Sequence, residues 1–176
     1  ARRRSSATPD LVRRSAGLVA AVVLALFGGI SPVLADHLPV DSDPDTTGPA
    51  LESFAITPTF VDVRVSSSTI TATAHITDDK SGVEQVFVQY RSPSGSNSIT
   101  IFFSPGNRIS GTSHVGDYSN PVLIDTNRES GIWSVSGAST RDAVGNTRGY
   151  TAAEALALGA VDFTVQSNRD ATPPQL

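Results

Sequence analysis

The sequence predicts an all-β fold, a sandwich with one short helix before its last strand, on three observations. Short apolar runs between Leu51 and Val165 alternate with polar residues at a period of two, most clearly from Thr69 to Ile76. There Ile70, Ala72, Ala74 and Ile76 share one face and Thr69, Thr71, Thr73 and His75 the other, as a half-buried strand requires. Turn-forming Gly, Pro, Asn and Asp separate these runs into roughly seven to nine strands at about 8–12-residue spacing, the signature of a sandwich. Finally, the single tryptophan lies on such a run, Gly131-Ile132-Trp133-Ser134-Val135, and cysteine is absent. Core burial or metal must then hold the fold together, and a domain of about 120 residues is large enough for a sufficient core.

At the amino-terminus, Arg2, Arg3, Arg4, Arg13 and Arg14 precede an uncharged run from Ser15 to Ala35. Leu18–Phe27 forms its apolar centre, Gly28-Gly29 and Pro32 weaken the helix, and Val33-Leu34-Ala35 offers a small-residue cleavage site before Asp36. This is the pattern of a secretory signal-peptide helix over residues 1–35. An uncleaved anchor is the rival, because about 20 uncharged residues can span a bilayer. The two glycines, the proline and the cleavage site favour removal. Arg13-Arg14 is a poor twin-arginine match, since the residues that follow it do not fit. Without its first 35 residues the chain has eight basic and 16 acidic residues, a net charge near −8. Such a chain repels nucleic acid and has no basic stripe to offer it. A lipoprotein anchor, which needs a cysteine after the signal, is excluded as well.

Residues 36–49 read as an acidic, proline-rich linker carrying Asp41, Asp43 and Asp45. The sandwich domain spans 50–167. Leu51–Ile56 stops before Pro58, as an edge strand does, and Val61–Val65 alternates. Asp78-Asp79-Lys80-Ser81-Gly82 is a turn into the strand Val83–Arg91, with Val86, Val88 and Tyr90 inward. Ser92–Gly95 closes that strand, and Ile99–Phe103 follows, stopped by Pro105-Gly106. Weaker β signals cover Ile109–Tyr118 and Val122–Ile124. Trp133 and Val135 point inward on the next strand, which runs toward the turn Arg141-Asp142-Ala143-Val144-Gly145-Asn146. Thr151-Ala152-Ala153-Glu154 is a capping box that opens the helix, with Gly159 as its stop. Val161–Val165 is the last strand.

The pattern D-x-T-x-P-x-L occurs at Asp45–Leu51 and again at Asp170–Leu176, an offset of 125 residues. A domain-length offset that lands on a linker implies tandem repetition, with residues 168–176 starting the linker to a further copy. The alternative is coincidence between two polar, proline-bearing segments.

Further motifs follow in order: I-T-D-D-x-S-G-V (Ile76–Val83), S-P-S-G (Ser92–Gly95), I-S-G-T (Ile109–Thr112), G-x-W-x-V (Gly131–Val135) and R-D-A-V-G-N (Arg141–Asn146). With D-x-T-x-P-x-L they resemble the bacterial immunoglobulin-like repeats found in tandem in large secreted and cell-surface proteins. The resemblance covers about residues 45–167. It implies an immunoglobulin-like β-sandwich with a spacer or adhesive role and no common ligand. The Ser119-Asn120-Pro121 step and residues 125–130 depart from a regular strand pattern, which leaves the pairing there open.

One metal site is worth weighing. Calcium takes six to eight oxygens, and an immunoglobulin-like topology brings the turn at Asp78 and Asp79, the turn from Asp142 to Asn146 and the linker residues Asp43 and Asp45 to one end. The alternative is ordinary turn chemistry, which uses the same residue types for local reasons. Ser113, His114 and Asp117 could be written as a hydrolase set, but adjacent strand residues point to opposite faces and no nucleophile elbow surrounds them. His37, His75 and His114 lack metal-ligand spacing. Tyr90, Tyr118 and Tyr150 exceed what the core needs and leave sugar binding open.

The expected function is that of a non-catalytic, exported module of a tandem-repeat surface or secreted protein, acting as a spacer or in adhesion. Its partners would be neighbouring repeat domains and a protein or glycan ligand, with neither nucleic acid nor membrane after cleavage. The alternative is an accessory or carbohydrate-binding domain of a larger secreted hydrolase.

Overall fold

A computed structural model of the chain describes residues 43–169. The signal peptide expected over 1–35, most of the linker and the repeated motif at 170–176 lie outside the described residues. The elements in order are β1 (Ala50–Thr57), β2 (Phe60–Asp62), β3 (Ser68–Thr77), β4 (Val83–Arg91), β5 (Ser98–Phe103), β6 (Arg108–Gly111), β7 (Val115–Ile124), β8 (Gly131–Asp142), β9 (Thr147–Thr151), α1 (Ala152–Ala157) and β10 (Phe163–Gln166). One sheet has the order β1-β3-β7-β6, and the other β2-β10-β8-β4-β5 with β9 also on β8. Every pair is antiparallel except β2 with β10.

Period-two alternation turns one face of each sheet inward, and the two inward faces share a single apolar core. Phe54 of β1 and Tyr118 of β7 meet Phe103 of β5 edge-on from the opposite sheet, with ring centroids 6.3 and 6.4 Å away. Deeper in the second sheet, Trp133 is fully buried and stacks on Phe163 at 6.3 Å, while Tyr90 meets Phe163 edge-on at 5.1 Å. The indole N–H of Trp133 donates to the Glu129 carbonyl at 3.0 Å, so the buried polar atom is satisfied.

The capping box closes as its sequence requires. Thr151 accepts from the Glu154 amide, and Glu154 Oε2 accepts from the Thr151 amide at 2.7 Å. Gly159 follows the helix at φ +98°, where a Cβ would lie 2.7 Å from the Phe54 carbonyl oxygen. The helix fills a gap between β9 and β10, which pair with successive stretches of β8. No helix among the described residues is long and apolar enough to cross a membrane.

Three expectations need correction, and one pairing left open is answered. The alternation Val61–Val65 does not continue as a strand: Val61 and Val63 are buried, but Val65 is 94% exposed. β10 offers its last bond to Val63, and Arg64 folds back onto Asp62 with Nη2 2.6 Å from Oδ2. The doubtful stretch around Pro121 is a regular part of β7, paired with Thr71. β6 pairs only with Gly116–Tyr118, so β7 is an edge at Pro121, where a residue without an N–H is tolerated. All three tyrosines belong to the core. The end of the expected linker is docked rather than free: Pro49 is buried, and its carbonyl accepts from the Thr140 hydroxyl.

Candidate functional site

The entry end of the sandwich collects the acidic residues. β1 begins opposite the end of β3, with Ala50 facing Thr77, and four segments meet there: residues 43–49, the β3–β4 loop, the β6–β7 turn and the β8–β9 turn. Backbone bonds stitch the three loops together. The Asp78 amide donates to the His114 carbonyl at 2.7 Å, the Val83 amide to the Ser113 carbonyl at 2.9 Å, and the Ala143 amide to the Gly82 carbonyl at 3.0 Å. Gly82 is required at φ +88°, and a Cβ there would sit 2.9 Å from the Ser113 Cβ.

The five residues singled out for metal do two different jobs in this arrangement. Carboxylate oxygens of Asp45, Asp78 and Asp79 lie within 4.8 Å of one another. Asp142 is fully buried and committed to its own turn: Oδ1 accepts from the amides of Val144, Gly145 and Asn146, and Oδ2 from the Asn146 side chain. Asn146 also donates to the Asp45 carbonyl at 3.0 Å, so this turn holds the entry segment in place. Asp43 presents its carbonyl to Lys80 Nζ at 3.2 Å. Lys80 and Ser81 were missed from sequence, although they stand in the same turn as Asp78.

Asp45 accepts from the Thr47 amide at 3.1 Å and the Ser81 amide at 2.9 Å. The Ser81 hydroxyl first, then the Thr47 amide, hold its carboxyl below the usual range.

The Ser113, His114 and Asp117 set does not assemble. Ser113 Oγ and His114 Nδ1 are 3.4 Å apart, and His114 Nε2 donates to the Lys80 carbonyl at 2.6 Å. Asp117 instead bridges His75, 2.7 Å from its Nδ1, and the Ser110 hydroxyl on the outer face of the first sheet. Strand register makes this contact: His75 of β3 lies opposite Asp117 of β7. The Ser110 hydroxyl, then His75, keep the Asp117 carboxyl below its usual range. The Ser94 hydroxyl does the same for Glu129, and the Thr151 amide for Glu154.

These depressed carboxyl groups set the sign of the acid response. Each contributes stability above its unfolded value of about 4, which is lost as pH falls through the lower folded value. The melting midpoint should therefore hold from pH 7 to about 5 and drop below about 4. Asp117 is exposed and screened, so its share is small. Circular-dichroism melts of Asp117→Asn should show a shallower acid drop; an unchanged slope would remove Asp117 from the explanation.

A family described as a domain of unknown function (DUF7035) matches residues 44–171. The chain belongs to the DUF7035 family. No curated protein and no solved structure matches the chain. The DUF7035 match starts before Asp45 and covers β1 to β10, so the docked entry segment belongs to the same unit as the sandwich it contacts.

Proposed function

We propose that the chain is a non-catalytic, exported immunoglobulin-like module of a tandem-repeat surface or secreted protein, serving as a load-bearing spacer or adhesion link. The observation that supports this most is the placement of its ends. The chain enters beside the β3–β4 and β8–β9 turns and leaves past Gln166 at the other end, where Val165 faces Gly131 and the Ser167 hydroxyl donates to the Arg128 carbonyl. Copies repeated at the 125-residue offset of D-x-T-x-P-x-L would line up end to end.

The terminal strands suit tension. β1 lies antiparallel along β3 from Ala50 to Thr57, and β2 lies parallel to β10 from Phe60 to Asp62. Force applied through the two ends runs along these strands and loads their hydrogen bonds together, in shear. Single-molecule pulling tests the reading. Rupture through the two termini should need clearly more force than rupture through Asn127→Cys and the carboxy-terminus, which peels β10 from β8 one bond at a time. Equal or lower end-to-end force would remove the load-bearing role.

A second reading, a carbohydrate-binding accessory domain, has one observation in its favour. Phe87 and Phe102 pack 5.1 Å apart, Phe102 is exposed, and Phe87 lines a groove with Gln89, Ser136 and Ser139. Glycan binding abolished by Phe102→Ala would replace the spacer reading with this one.

A further inference from the structure

We infer that Asp45, Asp78 and Asp79 form a calcium site that clamps the entry segment to the β3–β4 loop. The site stands apart from the spacer reading, because it rests on the chemistry of one end of the sandwich alone.

Clustered carboxylates are common on surfaces, and the deciding observation is a second one. Asp78 is only 9% exposed, and its Oδ1 is buried with no hydrogen-bond partner. Oδ2 of the same group is fully engaged, accepting from the amides of Gly82 and Lys80. A buried carboxylate oxygen left without a donor is costly and rare in folded proteins. A buried, unsatisfied carboxylate oxygen beside two further carboxylates describes a place short of positive charge. Lys80, which donates to the Asp43 carbonyl, brings one positive charge against three carboxyl groups.

The donors select the ion. All are oxygens, which favours a hard cation over zinc or copper. The three carboxylate oxygens all lie within 4.8 Å of one another, close enough for one cation to touch all of them. Magnesium dehydrates reluctantly and demands a strict octahedron, so it suits a cage of several protein carboxylates less well than calcium does. Asp142 and Asn146 are positioning residues: Asn146 holds the Asp45 carbonyl and thereby presents the Asp45 carboxylate to the loop. An ion shared by residues 45, 78 and 79 ties the entry segment to the β3–β4 loop.

The test uses the full chain, stripped with EDTA and titrated calorimetrically with CaCl2. Expected are one ion per chain, a higher melting midpoint in CaCl2 than in EDTA, and slower hydrogen exchange at the Thr47 and Ser81 amides. Asp79 is exposed, so Asp79→Asn should fold normally and weaken binding by about tenfold or more through the lost ligand charge. Asp125→Asn, at the far end, should bind as the parent does. No heat with CaCl2 and equal midpoints in both conditions would overturn the proposal. So would Asp79→Asn binding as tightly as the parent, while equal affinity for MgCl2 would overturn the choice of calcium. None of these results bears on the pulling experiment.

Discussion

Trp133→Ala should destabilise the domain by about 3–5 kcal/mol, the usual cost of emptying an aromatic site in a close-packed core. A domain of this kind has about 5–15 kcal/mol in all, so the loss is a large share of it. The indole sits with no exposed surface between β8 and β10, stacked on Phe163, which in turn supports Tyr90. Removing it leaves a void against the Phe163 ring and frees the Glu129 carbonyl that its N–H satisfies. The melting midpoint should fall by about 10–20 °C for a domain of this length. Trp133→Phe keeps a ring but loses the hydrogen bond and should cost less. Because the chain has one tryptophan, fluorescence reports on this site alone: emission should be blue-shifted when folded and move red on unfolding. A native spectrum like that of indole in water, or an unmoved midpoint in Trp133→Ala, would contradict the buried position.

Asp142→Ala should be the most damaging change outside the apolar core. One carboxyl group there satisfies three consecutive amides and the Asn146 side chain, with no surface exposed to water. A buried donor left unpaired costs about 1–3 kcal/mol. Val144 and Gly145 are exposed, so water replaces part of what their amides lose, and the expected total is about 2–4 kcal/mol. Asn146 would also lose its anchor and release the Asp45 carbonyl, loosening the entry segment. Asp142→Asn keeps one acceptor oxygen and should fall between parent and alanine. Denaturation in EDTA isolates this effect from any bound cation. A cost within about 0.5 kcal/mol, typical of a surface substitution, would show that the turn holds itself without the side chain.

Much of the architecture was legible from residue types because it depends on contacts close in sequence. The alternation Thr69–Ile76 assigns its faces correctly, since neighbouring strand residues must point to opposite sides. The Thr151–Glu154 capping box and the stop at Gly159 need only one helical turn. The inward placement of Trp133 follows from its apolar run. The same local rule failed where a partner strand ends: Val61, Val63 and Val65 look alike in sequence, and only the length of β10 separates the buried two from the exposed one.

The chemistry of the entry end was legible only as a set of candidates. Asp45, Asp78, Asp79, Asp142 and Asn146 were all named from turn composition, but the sequence cannot divide them between turn and cluster. Asp142 folds its own turn, whereas Asp78 leaves one buried oxygen unpaired. His75 with Asp117 was missed for a related reason, as 42 residues separate them and strand register alone sets them side by side.

What the sequence by itself determined is therefore what a few adjacent residues can enforce: strand faces, turns, the helix cap and the absence of disulfides. The tertiary structure decided which strand ends met, that the entry segment docks at Asn146 and Thr140, and that three carboxylates from two segments converge. Side-chain period and capping are enforced by short-range sterics and hydrogen bonds, which act on any chain with those residues. Register between distant strands is chosen only when the whole core packs, because the entropy cost of closing long loops is repaid by many contacts at once.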